Sequence, residues 1–233
     1  MTAVDLDGRL VAVDNAEGPV AVDHADGPVA VAIVTALRAA RARVEVIGGR
    51  AGTASEAEAT WSPVPVVDAY VHVGPWSRVG AGAPLAELAD DAFAAAFDAP
   101  VRDVLWSLHA AHAHLARPGG RVVVVVPTAA MAGAPGFAAT AAAAEAHRLL
   151  VKAVARQWGE DGIGLNVVAV DLAVLAPGTP DLPPVSLSPP ALGSGAVGDL
   201  AALGRLVIWL VTRDASALTG ATLTADGGIW MAP

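Results

Sequence analysis

Apolar residues in this chain form short continuous runs that alternate with longer stretches in which apolar and small residues mix with charged ones. The run from Arg121 to Val126 is almost entirely β-branched, which is typical of a strand buried on both faces of a parallel sheet. Similar runs predict strands at 44–47, 66–73, 165–170 and 221–225, and the longer stretches predict helices at 29–43, 89–115 (as one helix or two joined near Pro100), 138–158 and 199–212. This alternation predicts an α/β fold with a doubly wound parallel sheet of seven strands or one fewer.

The length of 233 residues fits one such domain, spanning 1–233. Near its start a nine-residue unit occurs twice, at 11–19 and 20–28, and each copy has the pattern of a short strand followed by a turn. Two copies are too few for a solenoid. We interpret the repeat as a local duplication that adds a strand or lengthens a loop, and a binding role for its acidic residues is the alternative.

Composition restricts the partners that the protein can have. Lys and Arg total 14 against 23 Asp and Glu, and the resulting net charge of −9 disfavours both nucleic acid and anionic membranes. The absence of Cys excludes disulfides and thiolate metal sites. The first residues show no basic run followed by an apolar stretch, so no signal peptide is expected and the cytoplasm is the expected location. Residues 122–144 carry no charge, but Pro127, Gly133 and Pro135 argue against a membrane-spanning helix.

Two motifs in the C-terminal half resemble those of a known family. Residues 162–170 read GIGLNVVAV and are similar to the GIRVNAVAPG strand of the short-chain dehydrogenase/reductases, and residues 217–228, ALTGATLTADGG, resemble the TGQxLxVDGG ending of the same family. Asp199 stands where the family has a DVA helix start. The resemblance covers about 6–50 and 66–231 and implies a single Rossmann-like domain.

The catalytic residues that this resemblance implies are missing. In the family a tyrosine exchanges a proton with the substrate carbonyl oxygen, a lysine four residues later lowers the tyrosine pKa and holds the ribose, and a serine orients the substrate. An ungapped count back from Asn166 places the tyrosine position on Thr140 and the lysine position on Ala144. The serine position falls on Pro127, with Thr128 next to it as a possible substrate contact.

The nicotinamide cofactor of the family is also not expected here. Its glycine-rich TGxxxGxG loop corresponds to 23–30, where Pro28 and Ala30 replace glycines that let the backbone approach a pyrophosphate, and Asp23 and Asp26 would repel it. A second register, on 14–18, also offers acids. The family asparagine aligns near Pro100, the NNAG motif becomes 72–75, and only about twenty residues separate Ile47 from Asp68, so the adenine side is shortened.

Other polar residues offer limited chemistry. His109, His112 and His114 do not share one helix face and have no carboxylate beside them in sequence, so no metal is expected. Four residues remain as candidates for a pocket: His72, Thr128, Thr140 and Asp171. His72 is the one histidine placed at the mouth of the former cofactor site, and a structural role is its alternative. Asp171 follows a predicted strand, and capping of the following loop is its alternative.

Two functions from different classes follow from these residues. The first is a catalytically silent subunit that pairs with itself or with an active paralogue through helices 89–115 and 138–158, which form the four-helix oligomer interface in the proteins it resembles, and that supports assembly or a substrate pocket. The second is a repurposed, cofactor-independent enzyme that dehydrates, cyclises or isomerises a small molecule in the emptied cleft. A residual oxidoreductase or a ligand-binding regulator is a further alternative. An enzyme needs an open pocket with convergent polar groups, whereas a subunit does not.

Overall fold

The computed structural model describes residues 10–15, 27–48, 52–64, 66–76, 82–178 and 190–231. Six parallel strands form one sheet in the order β2-β1-β3-β4-β5-β6. They are β1 (Leu10–Asn15), β2 (Arg43–Gly48), β3 (Ala69–His72), β4 (Arg121–Pro127), β5 (Gly164–Val170) and β6 (Thr222–Thr224). The predicted doubly wound parallel sheet is confirmed, and among the described residues it has six strands.

Helices connect the strands. The longer ones are α1 (Pro28–Ala39), α2 (Ala54–Trp61), α4 (Ala99–His114), α6 (Ala138–Trp158) and α9 (Leu200–Leu210), and the one-turn helices are α3 (Asp90–Phe93), α5 (Ala129–Ala132), α7 (Leu172–Leu175) and α8 (Ser194–Val197). None of the described helices is long and apolar enough to cross a membrane.

The helices form two groups that enclose the sheet. Helix α1 packs against α9, while α4 packs against both α2 and α6. Strand β4 contacts α6 of one group and α9 of the other, and all seven of its residues are buried. The core therefore lies on both faces of the sheet, as the β-branched run in β4 predicts.

The predicted break near Pro100 takes a specific form. A π-helical segment, Ala94–Asp98, links α3 to α4, and the amide of Ala99 donates to the carbonyl of Ala94. Pro100 is the second residue of α4, directly after this widened turn, and it has no N–H to donate to the preceding turn. Region 89–115 thus contains two helical segments joined by a widened turn.

Side chains in the two family-like motifs tie the last strands together. The Asn166 Nδ2 donates to the Leu218 carbonyl at 3.1 Å, and its Oδ1 accepts from the Ala221 amide at 3.1 Å, so β5 holds the loop that leads into β6. The buried Asp226 carboxylate accepts from the amides of Gly228 (3.0 Å) and Trp230 (2.9 Å). Both motif residues are therefore structural here.

The repeat near the start is only partly described. The strand predicted in its first copy is confirmed: residues 11–15 belong to β1, which pairs with β2 on one side and β3 on the other. Most of the second copy, 20–26, lies outside the described residues. Acidic Asp23 and Asp26 lie there too, so their effect on a phosphate stays a prediction.

Candidate functional site

The candidate site lies where β3, β4 and β5 end and where α6 begins. The backbone amide of Thr128, directly after β4, donates to the Val170 carbonyl at the end of β5 (2.8 Å), which joins the two strand ends. The Thr128 side chain is buried. A substrate contact through this hydroxyl, which the sequence leaves open, would require the surrounding residues to move.

Helix α6 carries Thr140 and Ala144, on which the ungapped count from Asn166 places the tyrosine and lysine positions. Thr140 and Ala144 are one turn apart, and both face the protein interior, with relative exposures of 3% and 0%. The threonine hydroxyl does not ionise near neutral pH, and the alanine offers neither charge nor hydrogen bond. No acid–base pair like that of a tyrosine and a lysine can operate from these two positions.

An aromatic cluster lies beside them, below the ends of β3 and β4. The Tyr70 hydroxyl and the His72 Nδ1 share a hydrogen bond of 3.1 Å. The His147 ring, on α6, lies 5.9 Å from the His72 ring and 4.9 Å from the Trp76 ring, measured between centroids. The indole N–H of Trp76 donates to the Val125 carbonyl at 2.9 Å. All four side chains are fully or almost fully buried.

His147 is held neutral by its surroundings. Burial in an apolar site, together with the nearby His72, lowers the pKa of His147 to about 3, while the bond to the Ala143 carbonyl opposes this shift. The Nδ1–H donates to that carbonyl at 2.8 Å, so Nε2 is the unprotonated nitrogen. This Nε2 is buried and has no hydrogen-bond partner among the described residues. The ring cannot exchange protons with a substrate in solvent because the side chain is inaccessible.

Sequence reasoning misplaces His72 and misses His147. His72 is fully buried and bonded to Tyr70, so it does not line the mouth of a cleft. His147 has the spacing of a core position, four residues from both Ala143 and Val151, which are also buried on α6. That spacing is the only sequence signal for its burial.

Asp171 caps a helix. Its Oδ1 accepts from the Ala173 amide at 2.7 Å, and this bond satisfies an N-terminal donor of α7. The structure thus shows the capping role that is the alternative for this residue. A contact between Asp171 and a ligand stays a prediction.

Two cavities formed by described residues bear on the site. One, of about 340 Å³, lies at the ends of β5 and β6; it is lined by Val170, Val174, Leu192, Ala196, Val197, Asp199, Leu200, Ala202, Leu203, Thr224, Ala225, Gly227 and Gly228. The other, of about 400 Å³, is an open groove between α4 and α6; it is lined by Leu105, Leu108, His109, His112, Leu150, Val154, Gln157, Trp158 and Asp161. Neither is lined by His72, Thr128, Thr140 or Asp171, so the four pocket candidates do not converge on these spaces.

The three histidines near the end of α4 have separate environments. His112 Nε2 contacts the Asp161 carboxylate at 3.1 Å and its ring stacks on Trp158, whereas His114 Nδ1 donates to the Val64 carbonyl at 2.7 Å. His109 is exposed and its ring lies edge-on to Trp106. Across the described residues, no three His, Cys, Asp or Glu side chains are placed to hold a metal ion.

The fold and these motifs agree with the comparison to known families, in which the family model described as enoyl-(acyl carrier protein) reductase matches residues 49–230. The chain belongs to the short-chain dehydrogenase/reductase family. A diacetyl reductase [(S)-acetoin forming] from Staphylococcus aureus is 25% identical in an alignment of 169 residues, which covers 65% of this chain and 64% of the relative.

Solved dehydrogenase/reductase structures share the fold over almost the whole chain. A short-chain dehydrogenase/reductase double mutant from Serratia marcescens has a TM-score of 0.72 at 22% identity and covers 97% of this chain and 98% of its own. A short-chain oxidoreductase from Pseudomonas aeruginosa, described as containing an atypical catalytic centre, has a TM-score of 0.74 at 17% identity and covers 98% of this chain and 100% of its own. These similarities support the family's fold for this chain.

Proposed function

We propose that this chain is a subunit without dehydrogenase chemistry, which pairs with itself or with an active paralogue and supports assembly or a substrate pocket. The observation that carries this proposal is the state of the tyrosine and lysine positions. Thr140 and Ala144 occupy them and both are closed off from solvent, so the proton transfer typical of the family has no donor there.

A nicotinamide dinucleotide, which the family implies, does not fit the residues present. Pro28 is at the start of α1 and has no N–H to offer a phosphate, and Ala30 in the same turn carries a buried Cβ where the family has glycine. Ala144 cannot hold a ribose. These positions favour loss of the cofactor, and the proposal includes no step through it.

The helices of the proposed assembly surface are intact. Leu105 on α4 is 40% exposed and lines the groove between α4 and α6, and Leu149 on α6 is 66% exposed. Large exposed apolar side chains beside an apolar groove are typical of a surface that another protein covers. The partner we propose is a second copy of the chain or a paralogous dehydrogenase, with α4 and α6 as the contact.

Cofactor titration tests this proposal. We expect neither NADH nor NADPH to quench tryptophan fluorescence or produce calorimetric heat in a saturable way. Three missing contacts of about 1.5–3 kcal/mol each would raise a dissociation constant of about 1 μM to about 2 mM or more. An intact reductase of the family is the positive control. A dissociation constant below about 100 μM would refute the proposal and favour an oxidoreductase. Co-expression with paralogous dehydrogenases, followed by analytical ultracentrifugation, tests the pairing.

The cavity at the ends of β5 and β6 favours a second candidate, a cofactor-independent enzyme or binding protein for a small apolar molecule. Its lining is mainly aliphatic, with Asp199 and Thr224 as its polar side chains. The fluorescent probe 8-anilinonaphthalene-1-sulfonate should bind there, and Ala202→Phe, which narrows the cavity, should abolish the signal. Equal binding by both proteins would exclude this cavity as the site.

A further inference from the structure

Strand β2 forms one edge of the sheet. Among the described residues it pairs only with β1, so its outer row of backbone N–H and C=O groups has no strand partner there. Between Gly48 and Ala69 the described residues form one short helix, α2, and β3 then pairs with the other side of β1. An edge with unpaired backbone groups is a template for another strand.

The exposed side chains of β2 have an unusual order. Arg43 and Glu45 alternate with Val44 and therefore lie on one face of the strand, while Val44 and Val46 lie on the other. Arg43 and Glu45 are exposed, and neither forms an ion pair within the described part of the chain. Val46 is 49% exposed. Charged side chains on an edge usually oppose pairing. One charge of each sign, two residues apart, can however be satisfied by a partner strand that presents the two charges in the opposite order.

We propose that β2 pairs in antiparallel fashion with β2 of a second copy of this chain, in the register that places Val44 opposite the partner's Val44. Arg43 then faces the partner's Glu45, and Glu45 faces the partner's Arg43, which gives two cross-strand ion pairs. The contact is separate from the α4–α6 surface and goes beyond the proposed function.

Symmetry and charge together select this register. A two-fold axis perpendicular to the sheet relates the two copies of β2. Residues that face each other across the strand pair have side chains on the same face of the sheet, so they are an even number of positions apart in the sequence. The residue midway between them therefore lies opposite itself in the partner, at the axis. An axis at Glu45 would place two glutamates opposite each other, which is unfavourable. An axis at Val46 would place Glu45 opposite the partner's Ile47 and leave Arg43 beyond the strand pair. Only the axis at Val44 satisfies both charges.

The size of the contact predicts its strength. In this register Arg43, Val44 and Glu45 of each strand face one another, and 46–48 lie opposite residues 40–42, which precede the strand. Three residues from each strand bury far less area than a standard protein interface, and contacts at the small end of the range are weak. We therefore expect a dissociation constant of about 0.1–1 mM, and pairing through β2 only in concentrated samples.

Charge reversal tests the register. Arg43→Glu makes both facing pairs repulsive and should raise the dissociation constant about tenfold in sedimentation equilibrium, and Glu45→Arg should do the same. The double variant, with both charges exchanged, should recover the wild-type value. An equimolar mixture of the two single variants should form a heterodimer at least as tight as the wild type, because every facing pair is again opposite in charge.

Two controls separate this contact from the others. Ala142→Glu lies on the exposed side of α6 and should disrupt only the α4–α6 contact. In this background the charge reversals at Arg43 and Glu45 should still change pairing through β2, so the two contacts can be measured separately. Hydrogen exchange of peptides that cover 43–48 should slow as protein concentration rises from about 1 to 500 μM. Slow exchange at every concentration would mean that the chain itself covers the edge, and it would overturn the proposal. Failure of the double variant to recover pairing would overturn the register.

Discussion

Acidification should destabilise this protein through His147. In the folded state the pKa of His147 is about 3, whereas an unfolded histidine titrates near 6.5. Protons therefore bind more readily to the unfolded chain below pH 6.5. The stability that comes from keeping this ring neutral is complete above pH 6.5 and is lost as the pH falls from 6.5 towards 3.

The magnitude follows from the two pKa values. Each pH unit between them changes the free energy of unfolding by up to about 1.4 kcal/mol. Integrated from pH 7 to pH 5, the loss from His147 alone is about 2 kcal/mol, a large share of the 5–15 kcal/mol that stabilises a typical domain.

Urea unfolding at pH 7, 6 and 5, followed by tryptophan fluorescence, measures this loss. His147→Leu removes the titrating group and should reduce the difference between pH 7 and pH 5 by about 2 kcal/mol. His109→Gln is the matched control, because His109 is exposed on α4 and its removal should leave the difference unchanged. If His147→Leu shows the same pH dependence as the wild type, another buried group carries the effect and the reasoning is wrong.

Three further outcomes are expected. The double variant Thr140→Tyr/Ala144→Lys should not oxidise NADPH with a generic ketone, and any ketone-dependent fall in absorbance at 340 nm would contradict this. The variant should also be less stable than the wild type, because the new lysine enters a fully buried position. Ala142→Glu should dissociate the α4–α6 assembly in ultracentrifugation, because the interface would bury the new carboxylate without a partner of opposite charge. An unchanged oligomer would place the interface elsewhere. Asn166→Leu should cost about 2–3 kcal/mol in urea unfolding, because two backbone partners lose their hydrogen bonds; a neutral effect would show that water replaces them.

The sheet could be predicted because its signals are local. Strand β4 is a β-branched run, and the distance from α6 to β5 is short enough for an ungapped count from Asn166 to reach Thr140 and Ala144. Both residues lie on the buried face of one helix, one turn apart, and their match to the family's tyrosine and lysine stays a prediction.

The environment of the site could not be predicted in the same way. Alanines on several faces of α6 hide which face is buried, so the sequence gives little sign that His147 points inward. The contact between His147 and Trp76 joins residues distant in sequence, and no local pattern encodes it. Thr128 likewise looks available for a substrate until the neighbouring elements cover it.

The packing of α1 against α9 has a consequence for synthesis on the ribosome. Strand β3 joins the free edge of β1, and from β4 onward each new strand pairs with the strand before it, so the sheet can grow in the order of translation. Helix α1 cannot complete its packing until its partner α9, near the end of the chain, has been synthesised. The two helices approach so closely that a Cβ on Gly204 would lie 2.6 Å from the Ala36 Cβ. Ile33 and Leu37 on α1 are fully buried in the complete fold, and they stay incompletely covered until α9 packs against α1. The nascent chain should therefore be a client for chaperones until its last helix has left the exit tunnel.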